Sequence, residues 1–140
     1  MLTGFQHMHS YMAYIVLVTL IIAFLVATIN FVQKSEYTNG HRKIYLFGMI
    51  AAHLQLLFGL VLYFVSGRYA TIGASMKDSE LRLLALEHPL MMLIALVLIT
   101  IMHKKSKTAK GLAQHKFIML GYGIALVLIL SRIPWFQWPN

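Results

Sequence analysis

Seven histidines stand in a chain of 140 residues that has no cysteine, so any metal chemistry falls to imidazole rather than to thiolate. Four of the seven fall one to each of four apolar stretches: His9, His53, His88 and His115. A helical bundle builds cofactor sites from side chains on facing helices, and a planar macrocycle with two axial imidazoles needs histidines on opposed helices at similar depth. The pattern therefore suits one or two haem b groups held between histidine pairs. Lack of cysteine excludes disulfides, iron–sulfur clusters, thiolate zinc and covalently attached c-type haem. The plain alternative for each histidine is polar glue, bonded to a backbone carbonyl or to Ser, Thr or Tyr on a neighbour.

The elements that must position these rings are membrane spans. Residues 44–65, IYLFGMIAAHLQLLFGLVLYFV, carry no charge. As a helix they rise about 33 Å at about 1.5 Å per residue, matching a hydrocarbon core of about 30 Å. His53 sits near the middle, where an unpartnered imidazole loses about 2 kcal/mol or more. Hydropathy and breaker signals place four spans at about 6–32, 42–66, 79–102 and 110–132 in a single domain of residues 1–140. The polar string 33–40 separates the first two, with Asn39-Gly40 its strongest turn signal. The third span is apolar without interruption only from Leu90 to Met102, too short to cross alone, but Asp78-Ser79-Glu80 is a good N-cap and first turn. Pro89 then removes one backbone hydrogen bond and predicts a kink beside His88. The tail Trp135-Phe136-Gln137-Trp138-Pro139 reads as an aromatic interfacial anchor.

The net charge of +8 lies in short loops flanking apolar spans, which is the pattern that orients membrane proteins and not a nucleic-acid footprint. Lys34, Arg42 and Lys43 mark the first loop and Lys104, Lys105, Lys107, Lys110 and Lys116 the third, while the second balances its charges. Both termini and the second loop are thereby expected outside the cytoplasm, and no cleaved signal peptide is expected. The fold class is an all-α integral membrane protein, a four-transmembrane-helix up-down bundle with both termini extracytoplasmic. In it the first span lies diagonally across from the third and the second from the fourth.

On that arrangement His9 and His88 each lie about two turns in from the outer end and can face each other. His53 and His115 differ in depth by about 9 Å, part of which tilts of about 20° absorb. Ala13 and Ala95 keep the faces beside His9 and His88 open. Gly48, Ala52, Gln55 and Gly59 form a small stripe on the second span and Gly121 and Gly123 on the fourth, the usual means of close helix approach. Glu87 either accepts a proton from a ligating imidazole, bonds a quinol hydroxyl, or pairs with Arg82. Met8, Met91, Met92 and Met119 are alternative axial ligands, although methionine in such a chain is mostly filler. His41 and His103, beside Lys and Arg at span ends, read as solvated, and His7 as interfacial.

The segments H-x-H-S at 7–10, A-H-L-Q-L-L-x-G-L-x-L-Y-F-V-S at 52–66, M-K-D-x-x-L-R at 76–82, E-H-P at 87–89 and I-P-W at 133–135 resemble the small four-span membrane proteins of Bacteroidota labelled cytochrome B. More distantly, a histidine on the second and another on the fourth helix is similar to one half of haem A synthase. His41-Arg42 lacks the glutamate of that family's E-x-x-H-R motif, so haem A synthesis is not carried over. The resemblance implies haem. The expectation is a multi-pass b-type cytochrome of the cell inner membrane that transfers single electrons between a quinol or protein donor and a partner, acting as a homo-oligomer or as a subunit of a larger membrane complex. Its rivals are a haem-free packing or accessory subunit of such a complex and a quinone-site or biogenesis factor without a redox centre.

Overall fold

The computed structural model describes residues 1–139, in which every regular element is helical and no strand occurs. Four helices, α1 (Leu2–Val32), α2 (Asn39–Val65), α3 (Ser79–Thr108) and α4 (Leu112–Ser131), are each long and apolar enough to cross a membrane. Their outward faces are as apolar as their inward ones: Val18, Leu25 and Ile29 on α1 and Leu93, Val97 and Ile101 on α3 are exposed. Such faces are a liability in water and the natural surface in lipid. α1 packs against α2 and α4, and α3 against α4 and α2. The diagonal pairs are α1 with α3 and α2 with α4.

Several boundaries differ from the sequence reading. Asn39 and Gly40 do not turn the chain; they open α2, because Thr38 caps it. The Thr38 hydroxyl accepts from the His41 N–H, and the His41 ring accepts from the Thr38 N–H. The turn lies just before, where Lys34 adopts φ 55°. α3 runs past Met102 to Thr108, so the basic run is its last turns rather than a loop, with Lys105 and Lys107 on the negative end of the helix dipole. Only residues 109–111 remain to connect α3 with α4, turning at Gly111 (φ 63°).

The kink expected at Pro89 takes the form of a π turn over Leu83–Glu87. Pro89 has no N–H to give the carbonyl one turn back, that of Ala85. The Tyr63 hydroxyl of α2 donates to that carbonyl instead, at 2.8 Å. A group that lipid would leave unsatisfied is thus met by a neighbouring helix.

The bundle is filled unevenly along its length. The half bearing the two short connections holds a dense core in which Leu20, Ala23, Ala27, Tyr45, Ile99, Ile118, Tyr122 and Ala125 are fully buried. Glycines bring the helices together there: Gly48 lies against the Thr19 carbonyl, Gly121 against Met102 and Gly123 against the ring of Phe24. The half bearing the chain termini instead encloses a cavity of about 650 Å³.

A Cβ at position 121 would collide with the Cβ of Met102, an atom fixed by its own backbone and unable to rotate away. Gly121→Ala is expected to lower stability by about 1–3 kcal/mol. Gly73→Ala, where an added Cβ meets nothing within 4 Å, should leave it unchanged. Thermal unfolding in detergent checks both.

Candidate functional site

His9 of α1 and His88 of α3 meet across the cavity at the terminal end, their ring centroids 6.1 Å apart and their planes at 88°. Nδ1 of His88 donates to the Arg132 carbonyl at the end of α4, 2.8 Å away. A carbonyl only accepts, so this bond protonates Nδ1 and leaves the Nε2 lone pair free. That is the form in which a histidine binds a metal. His9 is held differently. Its ring lies against Gly59 of α2, where a Cβ would come within 3.0 Å of Cε1, and its Nδ1 is buried without a partner. Gln55 steadies the same stretch by donating to the His9 carbonyl at 3.0 Å.

Glu87 does not reach either ring. It receives Arg82 Nε at 2.7 Å and lies 3.4 Å from Arg132 Nε. The reading of Glu87 as an acceptor for a ligating imidazole is therefore corrected: the His88 proton goes to a backbone carbonyl, and Glu87 clamps the arginine that carries that carbonyl. Its pairing with Arg82 stands as the alternative reading had it.

The cavity wall is mostly apolar, with Ala13, Met92 and Leu96 among its lining. Its polar atoms are conspicuously unspent. Among the described residues, Gln55 Oε1, His9 Nδ1 and Trp138 Nε1 are buried without a hydrogen-bond partner. Arg68 also lines the cavity, placed there by Gly67, whose φ of 71° turns the chain back as α2 ends. Burial pushes the Arg68 guanidinium below its ordinary value. The tail expected only as an interfacial anchor divides its work. Trp135 and Phe136 are exposed, whereas Trp138 packs against Tyr14 with centroids 4.6 Å apart and planes tilted by 41°, and lines one side of the cavity.

The structure does not bring His53 and His115 together. His53 is exposed on the outside of the bundle, with Nδ1 on the Met49 carbonyl at 2.8 Å and Nε2 at 3.4 Å from the Thr100 hydroxyl. His115 is fully buried at the opposite end, its Nδ1 2.8 Å from the Tyr45 hydroxyl. His41 packs edge-on against it, with centroids 4.9 Å apart. The expectation that His41 and His103 are solvated is corrected as well. His41 is half-buried and caps α2, and His103 is 4% exposed. Tyr122 donates its one hydroxyl proton to the Tyr45 carbonyl at 2.7 Å, so the His103 Nδ1–H donates to the Tyr122 oxygen at 3.0 Å. This Tyr–His network was missed in the sequence, where the charges around His103 masked its place on an inward helix face. His7 is exposed and stacks on Tyr11.

Among the described residues no group of three His, Cys, Asp or Glu side chains gathers as a metal site; the pair His9 and His88 is the arrangement available to a metal that brings its own equatorial ligands. No family model, curated protein or solved structure matches the chain.

Removing the Tyr122 hydroxyl leaves a buried imidazole N–H without an acceptor. Tyr122→Phe is expected to cost about 1–3 kcal/mol of stability. Tyr11→Phe, at a side chain 68% exposed, should cost nothing measurable. Denaturation in detergent compares the two.

Proposed function

We propose that this chain is an integral b-type cytochrome of the inner membrane, holding one haem between His9 and His88. The observation that carries the reading is the histidine pair facing across an apolar cavity, 6.1 Å between centroids. Two imidazoles bound to one metal from opposite sides, each nitrogen about 2 Å away, have centroids separated by about 6 Å. The cavity volume, about 650 Å³, is in the range of roughly 300–1,000 Å³ that small-molecule and cofactor sites occupy. The donor set fits too: His88 presents a free Nε2, and His9 rests in a glycine cradle with no competing partner.

When bound, haem supplies one-electron transfer, and its potential answers to axial ligation and burial. The protein's own work is to hold the two rings, to keep water out with the surrounding apolar side chains, and to fix the His88 proton on Nδ1 through the Arg132 carbonyl. His53 and His115 then have structural roles, and a second haem is not part of the reading. The donor is a quinol or a protein, and the acceptor lies on the side of the termini. The basic residues at the ends of α1, α2 and α3 support an up-down bundle with both termini outside the cytoplasm.

The second reading, a haem-free accessory subunit of a larger membrane complex, is favoured by one observation. His53 and Thr100 form a polar pair on the outward surface, where interhelical partners from another subunit find purchase.

The reduced absorption spectrum of the purified protein decides between them. A b-type α-band is expected in the wild type and is expected to vanish in His9→Ala and in His88→Ala, since one lost axial imidazole commonly loses the cofactor. His53→Ala and His41→Ala should keep it. Carbon monoxide should barely change the spectrum, because two imidazoles close both axial positions. A wild type without haem hands the function to the second reading. Reporter fusions should place Lys107 in the cytoplasm and Ser75 outside; the reverse would overturn the orientation.

A further inference from the structure

Three arginines stand at the terminal end of the bundle, and they are not equivalent. Arg82 and Arg132 share Glu87. Among the described residues Arg68 has neither an ion pair nor a side-chain hydrogen bond. It nevertheless lines the same cavity as His9 and His88. A half-buried cation facing an apolar cavity without a counter-charge is unfavourable unless an anion completes it. The second observation is independent: the indole N–H of Trp138, on a different segment of the same wall, is buried with no acceptor among the described residues. Indole nitrogen only donates. Two unspent donors, one of them charged, therefore look onto a space whose remaining lining is chiefly apolar.

We infer that Arg68 and the Trp138 indole N–H form the site for the anionic end of an amphiphilic cavity ligand, namely the carboxylate substituents of the haem. This rests on the haem reading and names the side chains that set which way round the ligand sits. The imidazoles grip the centre of the macrocycle and are indifferent to its rotation about their own axis. Arg68 and Trp138 break that indifference by drawing the acidic edge toward the chain termini and leaving the apolar edge in the bundle interior. Charge-assisted hydrogen bonds to guanidinium are short and strong in such surroundings.

The test compares haem b with its dimethyl ester, in which both carboxylates are blocked, in absorbance titrations of the detergent-solubilised apoprotein. Wild type is expected to bind haem about tenfold more tightly than the ester. Arg68→Gln should erase the difference by weakening haem and not the ester, and Arg68→Lys, which keeps the charge, should retain most of it. Trp138→Phe should lose a smaller part. Equal affinities for haem and ester in the wild type, each with a low-spin six-coordinate spectrum, would overturn the anionic site and leave the haem reading standing. If the wild type takes up neither, the haem reading fails and the anionic site with it.

Discussion

Inside a bilayer a polar group has no water to fall back on, and every arrangement in this bundle answers to that constraint. At the end bearing the short connections the answer is pairing of nearly every buried side chain, with His115 Nε2 the one buried polar side-chain atom there left without a partner among the described residues. Tyr122 serves the Tyr45 carbonyl and the His103 ring, Tyr45 serves His115, and Ser106 donates to the Gln114 carbonyl at 2.7 Å. These bonds tie α2, α3 and α4 around a densely packed core. At the terminal end the same constraint is met for the backbone and left open for the side chains. Tyr63 covers the carbonyl that Pro89 exposes, yet Gln55, His9 and Trp138 each keep a buried polar atom unpartnered. Unpaired buried groups are costly, typically about 1–3 kcal/mol each. Three of the four found among the described residues line one cavity, which marks it as the place where a bound group would offset that cost.

The two halves are mechanically complementary. Small residues let the helices close in the paired half, where Gly48, Gly121 and Gly123 sit against side chain or backbone. In the other half the helices part around the cavity, where the π turn at Leu83–Glu87 and the tail segment carrying Trp138 shape the wall. A helix that widens by one residue per turn shifts everything after it around the axis. This turn falls immediately before His88, so the orientation of the ring toward α1 depends on it. Proline alone would have predicted a bend without saying which way the histidine points.

What the sequence disclosed was depth, and what it hid was direction. Four apolar runs and their caps gave the spans, and counting turns from the span ends matched His9 with His88. The same counting left His53 and His115 as a poorer match, and the reason is angular. Gly48, Ala52, Gln55 and Gly59 define the inward face of α2, and successive residues turn by about 100°, so His53 is carried off that face by its single step from Ala52. That stripe is visible in the sequence, where small residues point equally to close packing. His103 was misread for a related reason: lysines at 104, 105 and 107 suggested a loop, whereas long cationic side chains reach the interface from a continuing helix. The π turn, the fold-back of Trp138 and the lack of a partner for Arg68 among the described residues have no signature in a single sequence, since each depends on which partners the other helices bring.

The paired histidines come from α1 and α3, but the helices that aim them are α2 and α4. His88 is fixed by hydrogen bonding: α4 ends in the carbonyl that takes its Nδ1 proton, and Glu87 on α3 clamps the Arg132 side chain of that same residue. His9 is fixed by shape: α2 offers Gly59, whose missing side chain is the space the ring occupies. Bonding sets both the angle and the protonation of a ring, while shape sets its angle alone. His88 therefore arrives with its lone pair already directed, and His9 keeps a choice of tautomer that only a ligand on its Nε2 resolves. A two-helix hairpin could place two histidines face to face. Holding one ready and leaving the other adjustable takes the remaining pair of helices, which is a physical reason for this site to sit in a bundle of four.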